Sequence, residues 1–470
     1  MNKIKFGTDG WRAIIAKDFT VENLIRVAEA SAFWLKKNFD TPSVVIGHDC
    51  RFGGELFAET VAKIMAVNNI KVFLARGFIS TPMISLGTLR HKASAGIIIT
   101  ASHNPASYNG FKLKGSYGGP LLPEKVQEIE DLIQDKSAIH PDSYSLDDFI
   151  RSKSIELTDL EDLYCKHVEA HFDLAAIRNS DLVLAYDAMY GAGQNVIRRL
   201  LPDVTLLHCD YNPSFEDQAP EPIDKNLREF SELIKVSEDI DCGLATDGDA
   251  DRIGLYDKQG NFIDSHHIIL LLIKYLVEQK KMTGKVVTAF SVTPRVKQMC
   301  EHFGLPYQVV KIGFKYVAAI MLEEDVLLGG EESGGIAIKG HIPERDGIWI
   351  GLTIWEYMAK SGKSLNDLIL EVYKITGAFS FERSDLHLKE EAKDRIVNNC
   401  KNGRYKAFGN YQIQRTETID GYKYFFGENE WLMIRASGTE PVLRNYAEGE
   451  NKEKAFDILN SAEKTLLNNS

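Results

Sequence analysis

A chain of 470 residues is too long for one hydrophobic core, and 44% hydrophobic with 26% charged residues is the composition of several ordinary globular domains. A formal net charge of −12 excludes general nucleic-acid binding and requires any anion-handling site to gather its own cations. The six cysteines (Cys50, Cys165, Cys209, Cys242, Cys300 and Cys400) form no CxxC pair, which excludes a zinc or redox motif of that kind and fits reduced thiols. The opening MNKIKFGTDGWRA lacks the apolar core of a signal peptide, and the longest apolar runs, such as Ile268–Ile273, are far too short to span a membrane. A soluble, cytoplasmic protein is expected, with no membrane partner.

Apolar positions Leu24, Val27, Ala28, Phe33 and Leu35 give residues 20–37 a helical pattern. Ser43–Gly47 then reads as a buried strand, Glu55–Val67 as an amphipathic helix and Lys71–Ala75 as a strand. A short helix over 82–90 and the strand Ala95–Thr100 follow. This alternation predicts a doubly wound parallel sheet. The pattern returns with strand Leu182–Tyr186, a helix at 193–200, and strands Val204–Cys209 and Gly243–Thr246. It comes a third time with helices at 265–279 and 294–303 and strands Lys285–Phe290 and Val326–Gly329. The last hundred residues differ: short strands such as Tyr422–Phe426 and Trp431–Arg435 precede a helix at 452–467, a smaller α+β unit. Polar stretches at 135–160, 259–262 and 373–378 read as linkers. The expectation is three doubly wound α/β domains (1–148, 149–259 and 260–374) and a C-terminal α+β domain (375–470).

Thr100–Pro105 reads TASHNP and follows the strand AGIIIT, so Ser102 stands beyond the carboxyl end of a parallel strand, where open α/β sheets bind ligands. A serine there can carry a phosphoryl group if neighbours activate it; taken alone, a strand-to-helix cap is the safer reading. Asp247–Arg252 reads DGDADR, three carboxylates at alternate positions after the strand GLAT. They can converge on one hard cation, and a phosphoserine can add an oxygen. Arg252 and Lys258 occupy the sixth and twelfth places, where an EF-hand needs Gly and Glu, so calcium sensing is disfavoured. In GGEESGG, Glu331 and Ser333 can bond sugar hydroxyls, although a flexible polar turn fits about as well. RASGTEP offers Arg435, Ser437, Gly438 and Thr439 as a phosphate cradle, with Arg444 as a second cation. GTDGWR adds Gly7, Asp9 and Arg12. No GxxxxGK[ST] loop is present and no GxGxxG follows the first strand, so a kinase or dehydrogenase is unsupported.

In order and spacing these segments resemble the α-D-phosphohexomutase superfamily, which includes phosphoglucomutases, phosphomannomutases and phosphoglucosamine mutases. TASHNP resembles its phosphoserine loop, DGDADR its metal loop, GEESGG its sugar-specificity loop, RASGTEP its phosphate-binding loop and FGTDGWRA its opening segment. The resemblance covers essentially the whole chain. It implies four domains around a central cleft, Ser102 as the phosphorylated residue, and Mg2+ held by Asp247, Asp249 and Asp251 with Ser102. It implies Arg12 and Arg252 beside the transferring group, His103 completing the serine loop, and Lys112 (in NGFKLK) as general base. Lys315 (in KIGFK), His341 and Arg345 (in HIPERDG) would line the sugar pocket. The implied reaction interconverts hexose 1-phosphate and hexose 6-phosphate, most simply of glucose, through a bisphosphorylated sugar, with glucose 1,6-bisphosphate as activator. Mannose, glucosamine or pentose phosphates are the alternatives within the class. A sugar-phosphate phosphatase and a non-catalytic sugar-phosphate binder are the alternatives outside it. Bifunctional and glucosamine-specific members commonly carry His after the Ser-Gly of the specificity loop; here it is Gly335, which with HIPERDG looks more like glucose-selective members.

Overall fold

The computed structural model describes residues 3–7, 9–436 and 442–468. Two compact units emerge, one of Met1–Lys285 with Gly313–Leu368, the other of Val286–Ile312 with Ile369–Ser470.

The first unit opens with a six-stranded sheet in the order Trp11–Ile14, Tyr108–Gly115, Ala95–Ile99, Ser43–His48, Lys71–Phe78, Ile155–Thr158. The last four strands run parallel to one another. Ile97, Ile98 and Ile99 are all buried, because helices cover both faces and a parallel strand then needs no polar side. The helix Val21–Asn38 forms where the sequence calls for it. The Thr20 side chain accepts the Asn23 N–H, Lys36 and Lys37 sit in the last turn where the helix dipole favours cations, and Leu24, Val27, Ala28 and Leu35 face the core.

Two expectations need correction here. The sheet is not wholly parallel: Tyr108–Gly115 runs antiparallel to both Ala95–Ile99 and Trp11–Ile14. Nor is 135–160 a plain linker, since it contains the helix Leu146–Arg151 and the strand Ile155–Thr158, which joins the sheet beside Lys71–Phe78.

The second sheet of this unit has the order Phe262–Ile263, Ile253–Asp257, Cys242–Thr246, Leu184–Asp187, Thr205–Leu207. It is parallel around Leu184–Asp187 and antiparallel from Cys242–Thr246 outward. The stretch 259–262, read as a linker, is largely the turn of the outer hairpin. A further antiparallel pair joins Val326–Gly330 to Ile336–Ile338, among the helices Ser265–Glu278, Phe314–Glu323 and Gly347–Ser361.

The second unit holds the parallel pair formed by Lys285–Ala289 and Tyr307–Val310, and an antiparallel sheet in the order Ser380–His387, Val442–Gly449, Trp431–Ala436, Tyr422–Phe425, Arg415–Glu417. The helices Glu390–Lys401 and Lys452–Asn468 bury Ile396, Ile458 and Ala462 against Leu432, Ile434 and Leu443. Three α/β layers and a smaller α+β layer are therefore present, as read. Among the described residues, all six cysteines are free and buried, and no helix is long and apolar enough to cross a membrane.

Candidate functional site

The antiparallel strands explain where the chemistry-bearing loops stand. TASHNP bridges Ala95–Ile99 and Tyr108–Gly115, DGDADR bridges Cys242–Thr246 and Ile253–Asp257, and GEESGG bridges Val326–Gly330 and Ile336–Ile338. Each is a hairpin loop at the carboxyl end of a buried strand, not a strand-to-helix turn.

Two of these loops meet. Ser102 donates through Oγ to Asp247 Oδ2 at 2.7 Å. The backbones touch as well: a Cβ on Gly248 would stand 2.6 Å from the Ser102 carbonyl oxygen, so only glycine allows this approach. Ser102 itself has φ 53°, an uncommon conformation for a non-glycine residue. Its N–H is held by Thr100 Oγ1 at 2.9 Å.

Asp247, Asp249 and Asp251 are fully buried, and one ligand oxygen from each lies within 4.8 Å of the others. Oδ1 of Asp249 and Oδ1 of Asp251 have no hydrogen-bond partner. Buried, unpaired carboxylate oxygens are costly, and converging ones are what a hard cation requires. The residues therefore fit a metal ion. Burial, together with Asp249 and Asp251, pushes the Asp247 carboxyl well above the usual range. For Asp249, burial pulls the same way, but Lys112 and Thr81 outweigh it and hold the group below that range.

Cations surround this cluster. Lys112 Nζ lies 2.7 Å from Asp249 Oδ2, 2.9 Å from Asp9 Oδ2 and 3.3 Å from Asp251 Oδ2. Burial would lower the Lys112 ammonium, but these three carboxylates raise it instead. Beside these three carboxylates Lys112 is held as a cation. Arg345 donates to Asp251 Oδ2 and Asp9 Oδ2, both at 2.6 Å. Arg12 donates to Asn104 Oδ1 at 2.9 Å, and Arg252 Nη1 stands 3.6 Å from Glu221. His103 Nδ1 is 3.5 Å from Ser102 Oγ. Burial, then Arg252, Arg12 and Lys112, hold the His103 ring well below the usual imidazole range, so it is neutral near pH 7.

The specificity loop lies partly within this constellation. Glu331 is buried, accepts the Gly313 N–H at 2.9 Å and sits 3.7 Å from Arg345 Nη1. Burial raises its carboxyl to about 7, against the pull of Arg345. Ser333 is half-buried in the same loop. Lys315 lines a pocket with Gly7, Asp9, Gly10 and Leu113. His341 is directed elsewhere. Its ring stacks on Trp349 at 3.8 Å and bonds Asp346 at 2.9 Å and His167 at 3.2 Å, a packed structural network.

In the second unit, Arg435 and Arg444 are directly opposed on adjacent strands, and Arg435 lies 3.4 Å from Asp420. Opposed like charges cost stability unless an anion compensates. Ser437, Gly438 and Thr439 lie outside the described residues.

Sequence reasoning missed four contributors. Arg51 and Asp49 support the serine loop from behind. Thr81 bonds the Asp249 carboxylate and, through its N–H, the Asp249 carbonyl at 3.0 Å. Glu344 accepts from Lys114 at 2.6 Å in a fully buried ion pair. The signal for Arg51 and Asp49 was the motif GHDCR, where two charged residues follow directly on a buried strand.

A buried serine bonded to a carboxylate, within a ring of arginines and lysine, defines a phosphoryl-handling enzyme. Comparison with known proteins agrees. Domains described as phosphoglucomutase/phosphomannomutase alpha/beta/alpha domains I, II and III match residues 3–140, 162–260 and 264–375, and the family's C-terminal domain matches 386–463. A phosphoglucomutase/phosphomannomutase of Thermococcus kodakarensis is 30% identical over 98% of each chain. A phosphoglucosamine/phosphogalactosamine mutase of Sulfurisphaera tokodaii is 28% identical, again over 98% of each. A crystal structure from Thermus thermophilus, assigned as a phosphomannomutase, superimposes with a TM-score of 0.86 at 32% identity over 99% of both chains. The chain belongs to the phosphoglucomutase/phosphomannomutase family of the α-D-phosphohexomutase superfamily, and it is a phosphohexomutase, an isomerase that moves a phosphoryl group on a sugar phosphate.

Proposed function

We propose that the enzyme interconverts hexose 1-phosphates and hexose 6-phosphates through a phosphoserine at Ser102 and a bisphosphorylated sugar. The observation that carries this reading is the Ser102 hydroxyl 2.7 Å from Asp247, beside two buried carboxylates with unpartnered oxygens. Asp247, Asp249 and Asp251 would hold magnesium together with a phosphoryl oxygen on Ser102. When bound, the ion neutralises charge on the transferring group.

The chain's own residues do the rest. Arg12 and Arg252 face the phosphoryl group and stabilise its charge, as does Lys112 in its ammonium form. The proton that the sugar hydroxyl loses, when its oxygen bonds to phosphorus and the Ser102 Oγ–P bond breaks, passes to a base of this cluster, for which Lys112 and His103 are the candidates. Glu331, Ser333, Lys315 and Arg345 orient the sugar. The sugar then reverses and returns its other phosphoryl group to Ser102. A Ser102 without phosphate cannot start, so a hexose 1,6-bisphosphate such as glucose 1,6-bisphosphate primes it.

The names of the relatives favour mannose or glucosamine phosphates, with glucose beside mannose, over glucose alone. Gly335 in place of His supports keeping glucose among the substrates. A coupled assay over glucose, mannose and glucosamine 1-phosphates, run on the parent and on Ser102→Ala, tests the reading. Turnover should vanish in the variant, and intact mass should find phosphate on parental Ser102. Full activity without the serine would sink the proposal, and release of inorganic phosphate in place of isomer would make the protein a phosphatase.

A further inference from the structure

We infer that Arg51 is the positioning residue that aims Ser102, holding the serine loop by its backbone carbonyls. This rests on the mutase reading above, in which Ser102 carries the phosphoryl group. The Arg51 guanidinium is buried and gives its donors almost entirely to one loop. Nη2 bonds the carbonyls of Ser102 at 2.6 Å and Asn104 at 2.5 Å. Nη1 bonds those of Pro105 at 2.8 Å and Tyr108 at 3.1 Å.

Asp49 anchors both sides of this clasp. Its Oδ2 lies 3.3 Å from Arg51 Nε, and its Oδ1 accepts the Arg51 N–H at 2.9 Å. The same carboxylate accepts from Thr100 Oγ1, which in turn receives the Ser102 N–H at 2.9 Å. The peptide groups on both sides of the Ser102 Cα are therefore tied to one buried ion pair. Phe215 closes the arrangement, its ring centre 5.0 Å from the guanidinium carbon.

This circuit accounts for the φ of 53° at Ser102. A non-glycine residue persists in that conformation only where its surroundings over-determine it. Here the guanidinium fixes the carbonyl, Thr100 fixes the N–H, and Gly248 leaves room for the carbonyl to lie against the acidic loop. Oγ is then left facing Asp247. A planar fork with five donors can span four carbonyls, whereas an ammonium ion cannot.

Arg51→Lys, Arg51→Met and Asp49→Asn in the full chain test the inference, with activity normalised to folded protein by circular dichroism. A misplacement of about 1 Å costs on the order of a hundredfold in rate. Arg51→Lys and Arg51→Met should therefore lose kcat by about that factor with KM little changed. Single-turnover phosphorylation of Ser102 by glucose 1,6-bisphosphate, followed by intact mass, should slow in parallel. Asp49→Asn keeps shape while removing the anchoring charge, and should show the same pattern more weakly. A merely structural role would lower the folded fraction and leave the rate of serine phosphorylation per folded molecule unchanged; that result, or parental kcat in Arg51→Lys, overturns the inference. A parent that turns over no hexose phosphate overturns the mutase reading as well, and so separates the two failures.

Discussion

Replacing Lys112 by methionine is the sharpest physical test of the acidic cluster. The ammonium lies within 3.3 Å of three carboxylates, and neither it nor Asp249 and Asp251 touches solvent. Removing one partner of a buried ion pair typically costs about 3–5 kcal/mol, because the charge left behind is stranded in a poor solvent for ions. Arg345 still compensates Asp251 and Asp9, so Asp249 carries most of the loss. The expected destabilisation of the first unit is then about 3 kcal/mol, at the lower end of that range. Calorimetry in metal-free buffer measures it. Magnesium should restore more stability in Lys112→Met than in the parent, since the lysine no longer competes for Asp249 Oδ2 and Asp251 Oδ2. Saturation at a hundred times Kd is worth about 2.7 kcal/mol. A variant as stable as the parent without metal, or one that gains no more from magnesium than the parent does, would refute the view that Lys112 and a metal ion compensate the same carboxylates.

Three further outcomes are expected. Asp249→Asn should weaken magnesium binding and slow turnover together, and a chelator should stop the parent enzyme; calorimetric titration beside initial rates checks both. Glu331, with its carboxyl raised to about 7, contributes stability that is complete below its unfolded value of about 4.3 and is lost as pH rises through 7. Glu331→Gln should flatten the decline in thermal stability between those values, and an unchanged slope would show that the decline has another source. Arg435→Ala should lower kcat/KM about ten- to a hundredfold, from the roughly 1.5–3 kcal/mol of a charge-assisted hydrogen bond, for 1-phosphate and 6-phosphate substrates alike; steady-state kinetics in both directions will reveal any one-sided defect.

Much of this was legible in the sequence because hydrophobic runs and glycines mark the strand ends. The strands before Ser102, Asp247 and Glu331 were all read from buried apolar stretches, and each of these residues stands close behind its strand. The antiparallel returns were not legible. Tyr108–Gly115 carries Asn109, Lys112 and Lys114 in buried positions, so its polarity pattern is that of a loop. Only Asp249, Asp251, Asp9 and Glu344, distant in sequence, make such a strand possible. His341 misled for the complementary reason. Its place in HIPERDG suggested a sugar contact, but Trp349 and Asp346, on the helix start that follows, capture the ring. Charge reveals that a residue is unusual, while its direction depends on partners far along the chain.

Gly335 shows how one residue's small size can be required by another side chain. A Cβ at this position would stand 2.4 Å from Arg345 Cδ and 3.1 Å from its Cγ. Those atoms are the stem of a side chain whose end is fixed by two 2.6 Å bonds, so it cannot swing aside while keeping Asp251 and Asp9. A histidine at 335 and this reach of Arg345 are therefore mutually exclusive. The glycine is the condition for an arginine that ties the opening segment, through Asp9, to the acidic loop, through Asp251. The same guanidinium also stands 3.7 Å from Glu331, so the arginine that needs Gly335 reaches the specificity loop as well. Any side chain at position 335 would claim the volume that the Arg345 stem occupies.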